Sequence, residues 1–368
     1  MTHTHEHFDH VGSFLRTPEL KKGRLEFAEG KISEEDLVAI KHQEITKLVA
    51  KEAQIGLKSV TDGEYNRSWW HLDFLWNLNG IEAYEQENSY KFHGANTRTT
   101  NVRLCGKVTE NPNHPFYEDF KFLQTVLPEG VAPKVTIPSP SLIPNRDGRS
   151  DLWEDFYPTW EAFLDDLAQT YHDTIQHFYE LGARYVQLDD TTWAYLIARL
   201  IDSPEKHKFY EKQAEDIVYV VNKALAGLPE DLRISTHICR GNFRSTYLFE
   251  GSYEPVAKYL GQLNYDTFFL EYDDARSGDF SPLTDIWNSR KDVFIVLGLI
   301  TSKKPELEDK VEIKAKISEA AKLVPLENLG LSTQCGFAST EEGNDLSEDE
   351  EWIKLGYIRL LTDEIWYK

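Results

Sequence analysis

Eight short runs rich in β-branched and other apolar residues recur along the chain, and stretches of helical period separate most of them. The runs are HVGSF (10–14), KSVTDGE (58–64), KVTIPSP (134–140), RYVQLDD (184–190), RISTHIC (233–239), TFFLEYD (267–273), VFIVLGLI (293–300) and LGLSTQCG (329–336). Helical patterns fall at 33–55, 157–181, 206–227, 309–323 and 348–362, the first opened by Ser33 with Asp36 three residues on, an N-cap and its partner. Such alternation marks repeated βα units, with a parallel sheet covered by helices. The 368 residues would suffice for two ordinary domains, but eight strands with intervening helices predict an α/β fold of one kind, a single (β/α)8 TIM barrel.

The long connection from about 65 to 132 breaks the rhythm. Its aromatics, its Pro/Asn-rich turns and a hairpin pattern around YKFHGANTRTTNVRLCGKV predict an insertion packed over the barrel mouth. A formal charge of −22 with no basic stripe disfavours nucleic acid and points to a small-molecule partner. No apolar run reaches about 18 residues, so no membrane span is expected. The opening MTHTHEHFDH lacks the basic and apolar regions of a secretory signal, and three cysteines form no disulfide framework, so a reducing cytoplasm is expected. The histidines at 3, 5, 7 and 10 are a terminal run of the kind that usually holds no metal.

In a parallel barrel the C-terminal ends of the strands carry the chemistry. Here those ends hold Ser13, Asp62, Glu64, Asp189, Asp190, His237, Cys239, Glu271 and Cys335. His237 and Cys239, two apart in an extended strand, point to the same face. Imidazole, thiolate and carboxylate are zinc ligands, and His237, Cys239, Glu271 and Cys335 at convergent strand ends compose a tetrahedral Zn2+ site. Singly, each cysteine reads as a small buried hydrophobe; the four together favour the metal. Two thiolates and a carboxylate leave a zinc complex of net charge about −1, suited to activating a thiol nucleophile rather than a hydrolytic water.

The segments HVGSFLR, TDGE, VQLDD, THICRGN, FFLEYDD and LSTQCGF resemble, in order and spacing, the catalytic barrel of the cobalamin-independent methionine synthases, specifically its short single-barrel homologues, over essentially the whole chain. The resemblance implies methyl transfer from 5-methyltetrahydrofolate, usually polyglutamylated, to homocysteine, with zinc on His237, Cys239, Glu271 and Cys335. It also implies that Glu64 and Asp189 hold the amino group of homocysteine and that Gly12 and Ser13 receive its carboxylate, as donor and acceptor chemistry requires.

The chain departs from that family at two places. The histidine expected after the seventh strand has no counterpart in VLGLITSKKPELED, where Lys303 and Lys304 stand, and LDDTTW replaces the usual DEP. Another acid, a water, or another donor such as a methyl-corrinoid must then assist the leaving group. Alternative readings are a zinc thiol methyltransferase with a different donor or acceptor, a metal-free decarboxylase on the same barrel, and a barrel that only binds thiols. The cluster SWWHLDFLW (68–76) is placed to stack a flat donor ring, although such clusters also serve as the core of an inserted loop. Arg240 and Arg244 are rim candidates for anionic groups, and Cys105 is expected to be a packed thiol.

Overall fold

Six of the eight runs become strands in which every residue is buried, as parallel strands covered on both faces must be. They are β1 (Val135–Pro138), β2 (Tyr185–Asp190), β3 (Arg233–Ile238), β4 (Thr267–Glu271), β5 (Phe294–Ile300) and β6 (Leu329–Thr333). The structure is a computed structural model describing residues 5–87, 91–92, 95–144, 153–288, 290 and 292–367. The six strands pair in parallel and in chain order, so the sheet is an α/β sheet of sequential crossovers.

The expected helices appear at Glu34–Gln54, Trp160–Glu180, His207–Leu225, Lys310–Ala320 and Glu348–Trp366. Ser33 and Asp36 form the anticipated capping box, and Ser347 with Glu350 forms another. Each satisfies otherwise unpaired N–H groups of a first turn. Val186, Leu188, Ile234, Ile238, Leu270 and Leu297 join the helices in one extended core. Alternate strand positions carry Gln187, Asp189, Ser235, His237 and Glu271 to the opposite face. Polar chemistry therefore accumulates on one side of the sheet.

Near the strand starts that face is neutralised internally. Asp9 lies 3.3 Å from Lys134 Nζ and 3.6 Å from Arg233, and accepts a 2.9 Å bond from Tyr185 Oη. Burial alone would favour its neutral form, but the two cations hold its carboxyl below the usual range. His5 stacks on Phe294 and His7 on Trp366, while His10 is buried 3.4 Å from Glu52. The described histidines of the opening are thus packed separately; His3 lies outside the described residues.

The first two expected strands differ from expectation. Residues 10–14 form no strand; upstream of them Phe8 bridges in parallel to Leu331. The run 58–64 is extended only at Ser59–Val60, which pairs in parallel with Ala132–Pro133 just before β1. The cause is backbone geometry, since Gly12, Gly63 and Glu64 have φ of 134°, 67° and 61° and turn the chain out of the extended region. Hydrogen bonds still join these segments, Leu331 N to His7 O at 2.8 Å, Phe14 N to Gly63 O at 3.1 Å and Lys134 N to Val60 O at 2.8 Å.

In the long connection the expected hairpin takes a different partner. Thr100–Thr109 pairs antiparallel with Asn79–Glu85 upstream, while Lys91–Phe92 and Ala95–Asn96 form a short ladder nearer the tip. Tyr90, His93 and Gly94 of the predicted hairpin lie outside the described residues. Cys105, expected to be packed, is exposed on this hairpin. A helix at Pro115–Thr125 follows. Among the described residues no helix is long and apolar enough to cross a membrane.

Candidate metal centre

β3 ends at Ile238, and Cys239 continues its line through a 2.8 Å bond from its N–H to Asp190 O. Parallel pairing sets His237 opposite Phe269 of β4, two residues before Glu271 at the end of that strand. Cys335 follows β6 by two residues in a turn fixed by Ser302, whose N–H donates to Gln334 Oε1 and whose hydroxyl donates to Gly336 O. A Cβ on Gly336 would fall 1.9 Å from Ser13 Oγ, so only glycine lets Ser13 approach the Cys335 turn.

His237, Cys239, Glu271 and Cys335 are all buried, and their ligand atoms lie within 4.8 Å of one another. The sulfurs are 3.7 Å apart and His237 Nε2 is 3.5 Å from Glu271 Oε1. Two thiolates bound at about 2.3 Å in a tetrahedron stand about 3.8 Å apart, so the donor set has both the composition and the spacing of a four-ligand metal site. Glu271 Oε1 accepts from Arg240 N at 3.2 Å, which orients that carboxylate, and His237 Nε2, on the cluster side of the ring, also lies 2.9 Å from Gln334 O. Asp189 lies 3.6 Å from His237 Nδ1, on the side away from Glu271.

The cluster's electrostatics are those of a cation-seeking site. Burial disfavours the charged imidazole, yet Asp189 and Glu271 together raise the pKa of His237 well above its ordinary value. Burial works likewise against ionised Glu271, and His237 overcomes it, holding that carboxyl low. Contact between the sulfurs raises the pKa of Cys239, with burial adding, and lowers that of Cys335, so Cys335 is the more readily ionised of the pair.

Two cavities meet at this cluster. The smaller, about 290 Å³, is lined by Ser13, Glu64, Asp189, His237, Cys239 and Cys335, among others. Glu64 holds the left-handed conformation noted above; its Oε1 accepts from Arg67 at 3.1 Å and Thr136 Oγ1 at 3.2 Å. Its Oε2 is buried without a hydrogen-bond partner. The larger, about 550 Å³, is lined by Trp69, Trp70, His71, Phe243 and Phe249 and again by Cys239. Trp70 and Ser339 also line both.

The sequence-predicted residues Ser13, Glu64, Asp189, His237, Cys239, Glu271 and Cys335 are thus brought together, with Gly12 adjoining through Ser13. Asp190 and Asp62 are not. Asp190 accepts from Ser141 Oγ and Thr192 N behind the strand, and Asp62 from Glu64 N and Asn66. Lys303 is committed to Asp273 at 2.5 Å, Arg240 is buried against Tyr253, and Arg244 is exposed. Sequence reasoning missed Arg67, whose spacing three residues after Glu64 was the available signal, and Ser339, which had none.

Comparison with known proteins agrees with this geometry. Residues 9–347 match the family described as "Cobalamin-independent synthase, Catalytic domain". The uncharacterized protein YxjH of Bacillus subtilis is 42% identical, the match covering 97% of this chain and 94% of YxjH. A 5-methyltetrahydropteroyltriglutamate–homocysteine methyltransferase of Thermotoga maritima is 22% identical over 89% of this chain but only 40% of its own length. Among solved structures, a Listeria monocytogenes chain is 39% identical with a TM-score of 0.78, covering 98% of both chains. A B12-independent methionine synthase from Shewanella sp. W3-18-1, solved with selenomethionine, shares the fold with a TM-score of 0.69, 20% identity, and coverage of 98% of this chain and 97% of that one. The chain belongs to the cobalamin-independent methionine synthase catalytic-domain family.

Proposed function

We propose that the protein is a zinc-dependent methyltransferase that moves a methyl group from 5-methyltetrahydrofolate to the thiol of homocysteine, forming methionine. The observation that carries this reading is that Cys239, one of four convergent ligand side chains, lines both cavities. An acceptor sulfur in one cavity and a methyl donor in the other would meet at the cluster. The proposed architecture is a single (β/α)8 barrel, its ring completed by the segments around Phe8 and Ser59, with residues 65–132 inserted over the mouth. Free thiols as ligands suit a reducing, cytoplasmic setting.

His237, Cys239, Glu271 and Cys335 would hold the zinc, which when bound lowers the pKa of an incoming thiol while its anionic ligands keep that sulfur nucleophilic. The remaining groups bind and orient. Glu64, through its unpartnered Oε2, and Asp189 take the ammonium of homocysteine. The Ser13 hydroxyl and the backbone at Gly12 take its carboxylate. Trp69, Trp70, Phe243 and Phe249 face the donor and keep water from the methyl group. A cleft of about 550 Å³ suits a bicyclic ring rather than a whole corrinoid.

The test is single-turnover methyl transfer to homocysteine by zinc-loaded protein, with methyltetrahydrofolate (mono- and triglutamate) and methylcobalamin run in parallel. About one methionine per zinc from the folate is expected. Methionine from methylcobalamin alone would discard the folate and keep the thiol chemistry. None from either donor would leave a thiol-binding barrel and overturn the enzymatic reading.

A further inference from the structure

We infer that His71 is the acid that protonates the nitrogen released by the methyl donor, which makes that donor a flat cyclic amine. The inference rests on the methyl-folate reading above and goes beyond it by assigning the proton. An amine nitrogen is a poor leaving group unless it is protonated as the C–N bond breaks or before, so the donor cleft must present an acid. Among the side chains lining that cleft, Cys239 and His71 are the ones that exchange protons near neutrality. Cys239 belongs to the metal cluster. The remainder are tryptophan, phenylalanine and leucine side chains, Thr97, Thr191, Ser339, Thr340 and Asn242, whose hydroxyl, amide and indole groups hold their protons too tightly for this role.

The position of His71 fits the task. Its ring packs 4.5 Å from Trp70 and edge-on to Trp69 at 5.9 Å, so it borders the aromatic wall on which a flat ring would lie. It precedes the turn Leu72–Leu75 but does not cap it through its side chain. Its segment is tied to the loop after Cys335. Trp69 pairs with Thr340, Trp70 N donates to Ser339 O, and Glu341 N donates to Ser68 O. The imidazole is therefore held by the strap that carries a metal-ligand turn, which fixes the acid relative to the reacting sulfur.

Charged neighbours are already engaged. Asp73 accepts from Ser68 N, Ser68 Oγ and Trp69 N, and Arg98 lies over Trp69 at 5.3 Å while pairing with Glu341. Lys303 is held by Asp273, and the segment 301–309 has no histidine.

The step balances. The thiolate lone pair forms the S–CH3 bond as the C–N bond breaks, and that electron pair stays on the ring nitrogen. The nitrogen receives the proton of the His71 imidazolium and leaves as a secondary amine, and His71 recovers its proton from water.

The test compares wild type, His71→Asn and His71→Gln, two substitutions so that loss of fold in one does not silence the experiment. Zinc content and melting temperature are checked first. Wild type must give methionine from methyltetrahydrofolate; if it does not, the donor reading itself fails and the role of His71 fails with it. Given that turnover, single-turnover transfer is expected to fall about 10²–10⁴-fold in the variants, while the Kd for methyltetrahydrofolate, read by tryptophan quenching, changes less than about threefold. A transfer rate within about threefold of wild type would overturn the assignment. So would a loss of donor affinity that matches the loss of rate, because His71 would then merely shape the cleft.

Discussion

Cys239→Ser protein is expected to bind zinc two to three decades more weakly than the parent chain and to transfer methyl at less than about a thousandth of the parent rate. Four-ligand zinc sites bind with about 10–16 kcal/mol, so losing one thiolate of four removes roughly 3–4 kcal/mol. The rate is expected to fall further than the affinity, because Cys239 lies where the two cavities meet and a hydroxyl there weakens the hold on the metal. Serine is nearly isosteric, so the sheet should survive: Cys239 is anchored by its own backbone N–H to Asp190 O. Titration against a colorimetric zinc chelator, followed by single-turnover assay at saturating zinc, checks both parts. Undiminished zinc affinity would remove Cys239 from the ligand set.

The second large effect is expected at Glu64. Glutamine preserves the shape of the side chain and its bonds from Arg67 and Thr136, but removes the charge that Oε2 would offer an ammonium. Leaving a buried cation without one of its charged partners costs about 2–5 kcal/mol. With Asp189 still present the lower part applies, a fall of about 10²-fold in kcat/KM for homocysteine. Glu64→Gln should also change the pH profile. Burial first, with Asp189 and Asp62 adding and Arg67 and Arg16 opposing, pushes the pKa of Glu64 up to about 7. A raised carboxyl pKa means the charge is present above that pH and lost below it. Wild-type kcat/KM should therefore fall as the pH drops through about 7, and the variant should lose that limb. Steady-state kinetics from about pH 5.5 to 8.5 on both proteins reads the difference. Superimposable profiles would show that Glu64 does not meet the amino group.

How much of this was legible in the sequence depends on what local pattern can encode. VFIVLGLI and TFFLEYD announce buried parallel strands because such strands must be apolar, and both appear within a residue or two of the expected bounds. The candidate metal cluster was legible for a related reason: ends of parallel strands share one edge of the sheet, so His237, Cys239, Glu271 and Cys335 converge without any knowledge of loops. The rule overreached at Asp190 and Asp62. Asp190 follows Asp189 by one residue, so strand alternation sends it to the other face. The runs at 10–14 and 58–64 have the composition of full strands, which does not reveal that Gly12, Gly63 and Glu64 adopt positive φ. Nor does local pattern reveal which loops meet, so the strap between Ser68–Trp70 and Ser339–Glu341 emerged only in three dimensions.

Zinc K-edge X-ray absorption on the loaded protein reads out whether the metal centre receives the acceptor thiol. Two sulfurs at about 2.3 Å with nitrogen and oxygen at about 2.0–2.2 Å are expected, and a third sulfur when homocysteine is added. A first shell of nitrogen and oxygen alone, or one that homocysteine leaves unchanged, would contradict this expectation.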